Sequence, residues 1–168
     1  MRKIGFIGCG HMAKALIKGL KSNKSYELFG HDRNTKNLAW LEQEKIPFCS
    51  LKEICQESDI LMICVKPKDM YDLCSEMRTY IGNELKIVSV AAGITLENLK
   101  DALPGGKVYR AMPNIGAKHN LGITSIFSYE ELNEIIDIFN YLGKAIVVED
   151  EDKILSLIHI SEPTRLAT

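Results

Sequence analysis

The apolar residues of the chain fall into two kinds of segment that alternate along it. Short runs rich in apolar residues, each bounded by polar or turn residues, are typical of strands in a covered sheet. Between them lie segments in which apolar residues recur every three to four positions, as on the buried face of a helix. The predicted strands are residues 3–7, 26–30, 60–65, 87–90, 108–114 and 144–148, with a further apolar stretch at 122–127.

Several residues mark where the predicted helices begin and end. Ser50, followed three residues later by Glu53, is a capping-box pattern that opens a short helix. Pro67 favours a first-turn position, and the helix that it opens is predicted to continue through Tyr80 and to stop before Gly82. The regular alternation of strands and helices predicts an α/β fold with a mostly parallel, doubly wound sheet.

Two details of the second half of the chain are also predicted. The apolar spacing indicates a helix over residues 129–142, in which Glu130, Glu131 and Glu134 are expected to form a solvated face of the first turn. Pro113 is expected to break the strand at 108–114, because proline cannot donate to a sheet ladder.

The amino-acid composition is typical of an ordinary globular protein. The 168 residues suffice for one domain with a sizeable core, and the 46% hydrophobic and 26% charged residues are ordinary for a globular protein. A net charge of −1 gives no electrostatic reason to expect a nucleic-acid or membrane partner. The five cysteines, at positions 9, 49, 55, 64 and 74, form no Cys-x-x-Cys pair and no metal-ligand pattern, which favours a reducing cytoplasm. Because glycines interrupt the first apolar run, neither a signal peptide nor a membrane span is expected.

A glycine motif directly follows the first predicted strand. Gly8, Gly10 and Ala13 form the pattern Gly-x-Gly-x-x-Ala, and a helical pattern follows at once. In a dinucleotide-binding turn the first glycine permits the tight bend, the second admits a pyrophosphate, and the small third residue lets the helix pack closely. The alternative is a glycine-rich turn that binds nothing. The strand–turn–helix context favours a Rossmann-type nucleotide site.

The end of the second strand carries candidate contacts to an adenosine ribose. Asp32 could accept hydrogen bonds from ribose hydroxyls, which favours NAD, whereas Arg33 could hold a 2′-phosphate, which favours NADP. A third interpretation is that Asn34 or Thr35 only caps the next helix. We favour NADP, with Arg33 as its phosphate ligand, and NAD as the alternative.

Other strand ends lie at the same expected edge of the sheet. Lys66 could lie near a cofactor or be a solvated lysine. The small residues Ala92 and Gly93 could admit a flat ring or only permit tight packing. Arg110 and Asn114 could be ligand contacts or structural polar groups.

Four segments in order resemble one enzyme family. The segments are residues 5–13, 65–67, 89–94 and 110–114, and together they resemble the N-terminal dinucleotide-binding domain of pyrroline-5-carboxylate reductase. The resemblance covers residues 1–152. It implies an NAD(P)H-dependent oxidoreductase that reduces a small cyclic imine to proline, the last step of proline biosynthesis.

The resemblance also implies which residues surround the cofactor. A further contact that some relatives make near Ser50 and Leu51 has no matching motif here and is not transferred. The implied residues are Ile7, Gly8, Cys9, Gly10, His11 and Met12 at the pyrophosphate; Asp32, Arg33 and Asn34 at the adenosine ribose or its phosphate; Cys64, Val65, Lys66 and Pro67 beside the dinucleotide; and Ala92, Gly93 and Met112-Pro113-Asn114 near the nicotinamide.

The chain departs from the family pattern after residue 152. The family continues into a Gly-Ser-Gly-Pro-Ala-Tyr motif and an all-helical domain that forms the homo-oligomer and most of the imine pocket. Residues 153–168 do not continue that pattern and are expected to be of vector origin or frame-shifted, so His159 receives no catalytic role. We therefore name no catalytic residue. We expect the chain to lack the dimer helices and to be monomeric or to show exposed apolar edges. We also expect it to bind NADP weakly and to turn over poorly or not at all alone.

Two rival functions are weighed. One is a related NADP-dependent oxidoreductase with the same N-terminal fold, such as a hydroxyacid dehydrogenase or a deazaflavin-dependent enzyme. The other is a non-catalytic NADP-binding module or regulator. The segment Met112-Pro113-Asn114 after Ala92-Gly93 favours the imine reductase.

Overall fold

A computed structural model describes residues 1–115 and 121–155 of the chain, and in this part a single sheet of seven strands has helices on both faces. The bounds of the elements are β1 Arg2–Ile7, α1 His11–Leu20, β2 Tyr26–His31, α2 Thr35–Gln43, α3 Leu51–Glu57, β3 Ile60–Ile63, α4 Pro67–Met77, β4 Lys86–Ser89, α5 Leu96–Ala102, β5 Lys107–Ile115, β6 Leu121–Phe127, α6 Asn133–Leu142 and β7 Lys144–Val147.

The sheet is mostly parallel. Its strand order is β2-β1-β3-β4-β5-β6-β7, and the first five strands of the chain pair in parallel. Strand β6 runs antiparallel to β5, and β7 is parallel to β6. The predicted α/β, Rossmann-type, doubly wound fold is therefore confirmed. The register places Ile7, His31, Ile63, Ser89 and Arg110 in one row across the sheet, so that the loops after β1 to β4 begin at one edge.

The inner strands of the sheet are buried because each sheet face carries its own layer of helices. All four residues of β3 have no exposed surface, and their side chains alternate between the two layers. Leu61 and Ile63 pack in the layer that contains α3, α4 and α5, whereas Ile60 and Met62 pack in the layer that contains α1 and α6. This explains why the run at 60–65 shows no polar alternation. Within the described residues no helix is long and apolar enough to cross a membrane.

Two helix ends differ from their predicted positions. The last helix begins at Asn133 rather than at residue 129, because the Ser128 hydroxyl accepts a hydrogen bond from Glu130 N–H at 3.0 Å and holds a turn there. Helix α4 ends at Met77, before the expected Tyr80. The predicted capping box at Ser50 is confirmed, with both of its reciprocal hydrogen bonds formed.

Two expectations about individual residues are wrong. Pro113 does not break its strand, because β5 continues to Ile115 and accommodates the proline where its register to β6 shifts. Glu134 is not a solvated residue, since it accepts hydrogen bonds from Arg2 Nη2 at 2.8 Å and from Lys86 Nζ at 3.1 Å. Strand β3 also ends at Ile63, two residues earlier than expected.

Candidate cofactor-binding site

The glycine loop between β1 and α1 is built around Gly8. Its φ of +84° lies in the left-handed region, which L residues adopt only with strain. A Cβ at this position would also meet Val65 Cγ1 at 2.8 Å and Val65 N at 3.0 Å. The Gly8 N–H donates to His31 O at 2.9 Å, which joins the loop to the end of β2. Gly8 therefore serves the turn and the close approach of the β3–α4 loop.

Gly10 has a different environment. It is the N-cap of α1, has a φ of −78° and makes no side-chain cap hydrogen bond. No described atom beyond its chain neighbours lies within 4 Å of a Cβ built at this position. Three residues later, Ala13 is fully buried against the sheet. The first turn of α1 thus faces open space at its positive dipole end, as an anion-binding turn requires.

Asp32 holds the glycine loop from the end of β2. Its Oδ2 accepts from Cys9 N–H at 2.7 Å and from Asn37 Nδ2 at 2.8 Å, and its Oδ1 accepts from Asn34 N–H at 2.9 Å. Burial raises the pKa of Asp32, but these hydrogen bonds lower it by more, so the carboxyl titrates below its ordinary value. The carboxylate is a brace within the protein, a role that the sequence did not indicate.

The side chains beside Asp32 are also engaged within the protein. The Cys9 thiol is buried, which raises its pKa to about 12 and keeps it protonated at neutral pH. Asn34 caps α2, since its side-chain oxygen accepts from Lys36 N–H at 2.8 Å. The capping interpretation of Asn34 is therefore confirmed.

Arg33 lies across a cleft from α4. Its Nη2 is 2.5 Å from Glu76 Oε1, and its side chain is 73% exposed. The cleft between them has a volume of about 290 Å³ and begins beside the glycine loop. Its lining residues are Ile7, Gly8, His31, Asp32, Arg33, Leu51, Val65, Asp69, Asp72, Leu73 and Glu76.

The cleft brings five of the predicted residues together, namely Ile7, Gly8, Asp32, Arg33 and Val65. It also includes residues that the sequence analysis missed, among them Leu51 and three acidic residues of α4. A signal for the acidic residues was present, because positions 69, 72 and 76 share one face of a helix. Leu51 lies in no motif that would mark it as a cofactor contact.

The other predicted residues lie along the same edge outside the cleft. Cys64 N–H donates to Ile7 O at 2.8 Å, and burial raises the pKa of the Cys64 thiol. Lys66 is the exposed N-cap of α4, and Pro67 occupies its first turn as predicted. His11 is exposed at the start of α1, while the adjacent Met12 packs partly against the core layer beneath it.

The strand ends farther along the sheet form a separate group. Ala92 and Gly93 are exposed, and Gly93 has a φ of +82° with no described atom within 4 Å of an added Cβ. Asn114 is half-buried in β5. Arg110 is structural, since its Nη1 lies 2.7 Å from Glu151 Oε2 and its side chain is only 6% exposed.

Known proteins resemble the chain in sequence. The sequence model of the family described as "NADP oxidoreductase coenzyme F420-dependent" matches residues 3–93. The chain is similar to the pyrroline-5-carboxylate reductase of Escherichia coli (strain K12), with 34% identity over 160 residues that cover 89% of this chain and 60% of the relative. The chain thus spans about three fifths of the length of that relative.

Two solved structures share the fold. A pyrroline-5-carboxylate reductase from Coxiella burnetii has a TM-score of 0.86 at 24% identity, covering 98% of this chain and 65% of that one. The Plasmodium falciparum pyrroline carboxylate reductase, solved with NADP bound, has a TM-score of 0.79 at 22% identity and covers 99% of this chain and 64% of that one. At these identities the likeness establishes the fold.

Proposed function

Because the chain belongs to the family described as NADP oxidoreductase, coenzyme F420-dependent, and is similar to pyrroline-5-carboxylate reductases, we propose that it is the cofactor-binding part of such a reductase. The whole protein would reduce 1-pyrroline-5-carboxylate to L-proline with NADPH. Since the chain spans about 60% of the relative's length, this activity belongs to a protein of which this chain supplies the dinucleotide-binding domain, residues 1–152. Ile154 of the following segment is 2% exposed and packs in the same core.

The observation that carries the proposal is the open space at Gly10. A glycine with an ordinary φ and no described atom within 4 Å of a Cβ built on it is not required by the packing of the described residues. Its position at the N-terminus of α1, directly after β1, suits the close approach of a pyrophosphate. Gly8, by contrast, is required by the fold itself.

The dinucleotide would extend in two directions from the glycine loop. The adenosine half would enter the cleft, where Arg33 is the candidate ligand of the 2′-phosphate. The nicotinamide half would lie along the strand ends toward Ala92, Gly93 and Asn114. The remaining proposed contacts are Ile7, Gly8, Cys9, Gly10, His11, Met12, Asp32, Asn34, Cys64, Val65, Lys66 and Pro67.

The chain's own residues would contribute binding and orientation. When bound, reduced nicotinamide supplies a hydride for the imine carbon, while the imine nitrogen gains a proton. Asp32 and Gly8 fix the glycine loop to β2 before any ligand arrives, because their hydrogen bonds lie within the protein. A loop that is already ordered loses less conformational entropy on binding. The exposed turn at Ala92 and Gly93, with no described atom within 4 Å of a Cβ added to Gly93, leaves room for a ring.

We also propose a cytoplasmic location. All five cysteines, which lie in the described part of the chain, are free thiols, and four of them have thiol pKa values raised to about 11 or higher by burial. Free, unpaired thiols are the state that a reducing compartment maintains.

A cofactor titration tests the binding part of the proposal. NADPH and NADH are titrated into the 168-residue chain, and binding is followed by the change in nicotinamide fluorescence. Saturable binding of NADPH is expected, and the absence of binding by either cofactor at millimolar concentration would defeat the proposal. Imine reduction by the full-length protein, followed as NADPH oxidation with 1-pyrroline-5-carboxylate, tests the reaction.

A further inference from the structure

The guanidinium proposed to hold the 2′-phosphate already has a partner inside the cofactor cleft. Arg33 Nη2 lies 2.5 Å from Glu76 Oε1, so the pair joins the end of β2 to α4 across the opening of the cleft. Both side chains are substantially exposed, at 73% and 49%, and a ligand can reach them without unfolding of the core.

The wall of α4 that faces Arg33 is acidic over two turns. Asp69, Asp72 and Glu76 all line the cleft, and all three act electrostatically on Arg33. The other titratable groups that line it are His31 and Asp32, and both are held by the protein: His31 Nδ1 lies 2.9 Å from Cys49 O, and Asp32 accepts from Cys9 N–H. Among the residues that line the cleft, one guanidinium therefore faces three carboxylates of α4.

We propose that Glu76 is a specificity-determining residue of this cleft, which competes with the 2′-phosphate of NADPH for Arg33. The inference rests on the proposed cofactor-binding function. To bind NADPH, Arg33 must exchange the Glu76 carboxylate for the phosphate, and the phosphate must approach the acidic wall of α4. NADH carries a 2′-hydroxyl instead and requires no such exchange. Glu76 thus lowers the preference for NADPH that Arg33 alone would confer.

Removing the Glu76 carboxylate should change the affinity for NADPH and leave the affinity for NADH nearly unchanged. Glu76→Gln is expected to tighten NADPH binding about three- to fivefold, the range expected when one exposed ion pair no longer competes. The dissociation constant for NADH should change by less than about twofold, because NADH lacks the phosphate. The quantity to measure is therefore the ratio of the two constants, from fluorescence titrations at one salt concentration.

Three further variants separate this mechanism from a general effect of charge. Glu84→Gln removes an equally negative residue whose pairing with Lys107, at 3.3 Å, lies at the opposite edge of the sheet, and it should leave the ratio unchanged. Asp72→Asn removes a charge from the same wall without breaking the bond between Glu76 and Arg33. It should therefore change the ratio of the two dissociation constants less than Glu76→Gln does. When Arg33 is also replaced, by Arg33→Gln, the increase in NADPH affinity caused by Glu76→Gln should be smaller, because no guanidinium remains to be released.

The titrations distinguish a failure of the proposed role of Glu76 from a failure of the proposed cofactor-binding function. If neither cofactor binds the wild-type chain, the proposed function fails. If both bind and Glu76→Gln leaves their ratio unchanged, or tightens both equally, the role of Glu76 is overturned while the function stands. Thermal unfolding of each variant establishes that the compared chains are folded.

Discussion

At the scale of single residues, the cofactor-binding loop is ordered by contacts within the protein. The Asp32 carboxylate accepts hydrogen bonds from the backbone N–H groups of Cys9 and Asn34 and from the side-chain amide of Asn37. The bond to Cys9 N–H ties the glycine loop to β2, which lies next to β1 in the sheet. The acidic residue that often serves a ribose in this fold is here a brace that shapes the loop.

Asp32→Asn should destabilise the chain by about 1–2 kcal/mol at neutral pH, because one acceptor oxygen and its charge are lost. The folded-state pKa of Asp32 lies below its ordinary 3.8. Its stabilising contribution is therefore fully present above that value and is lost as the pH falls through the lower, folded-state pKa.

Urea unfolding at neutral pH and at pH values below the ordinary pKa measures this difference. The gap between wild type and Asp32→Asn should narrow as the pH falls. Asp101→Asn, an exposed carboxyl on α5, is the control and should differ little from wild type at either pH. A gap that stays constant across this range would contradict the assigned role of the carboxylate.

The two glycines of the loop should respond oppositely to alanine. Gly8→Ala places a Cβ at a left-handed φ and 2.8 Å from Val65, so the free energy of unfolding should fall by about 2 kcal/mol or more. Gly10→Ala meets open space and should change stability by less than about 0.5 kcal/mol, yet weaken NADPH binding roughly tenfold or more. Chemical denaturation and fluorescence titration of both variants test this contrast. Full NADPH affinity in Gly10→Ala would remove the argument for a pyrophosphate at this turn.

At the scale of elements, the residues of α4 that pack in the core and those that line the cleft lie on two different stripes of the helix surface. Met70, Cys74 and Met77 are fully buried against the sheet. The acidic residues at 69, 72 and 76 occupy the neighbouring stripe that lines the cleft. One helix thus covers the core and forms the charged wall of the binding cleft, because the two stripes lie side by side on its surface.

Helix α3 begins with a capping box whose loss should be measurable. The Ser50 hydroxyl accepts from Glu53 N–H at 3.1 Å and the Glu53 carboxylate accepts from Ser50 N–H at 3.2 Å. Ser50→Ala should lower the free energy of unfolding by about 1 kcal/mol, because the Glu53 N–H at the helix start loses its acceptor. Ser75→Ala, on the exposed face of α4, is the matched control. Equal effects of the two substitutions in urea unfolding would argue against the cap.

At the scale of the whole molecule, an ion pair between the buried Arg110 and the partly buried Glu151 ties the segment after β7 to the sheet. Glu151 Oε2 accepts from Arg110 Nη1 on β5 at 2.7 Å and from Leu96 N–H at the start of α5 at 2.7 Å. The following Ile154 is buried in the core that α5 helps to form. The carboxylate therefore joins three parts of the chain that are distant in sequence.

Glu151→Gln should be among the most damaging polar substitutions in the chain. It leaves the Arg110 guanidinium, whose side chain is 6% exposed, without a compensating charge, and a loss of about 3 kcal/mol is expected. The double variant Arg110→Met with Glu151→Gln should recover part of that loss, since the buried charge is then absent.

A double-mutant cycle measures this coupling, with thermal and urea unfolding of wild type, Arg110→Met, Glu151→Gln and the double variant. The control is Glu84→Gln, which breaks an exposed pair with Lys107 and should cost less than about 0.5 kcal/mol. A double variant as unstable as the sum of its single variants would show that the pair is not energetically coupled.

The sequence was sufficient where the information is local. The run at 60–65, the capping pattern at Ser50 and Pro67 at a helix start each depend on neighbouring residues. Each predicted the type and place of its element, although β3 ends at Ile63, two residues before the end of the run. Errors arose where a distant partner intervenes. Glu134 looked solvated because Arg2 and Lys86 are far away in sequence, and Pro113 looked disruptive because its pairing with β6 was not known.

By itself, the sequence determined the α/β class, the glycine turn after the first strand and the elements whose ends meet at one edge. These follow from hydrophobic periods and from the steric properties of glycine and proline, which act over a few residues. Only the tertiary structure decided that Asp32 braces the loop and that Glu76 faces Arg33. Partner choice among charged groups depends on which elements the fold brings within hydrogen-bond distance, and no pattern along the chain specifies that distance. Residues 156–168 belong to the tail that is predicted to be of vector origin or frame-shifted, with no catalytic role for His159, and they lie outside the described residues.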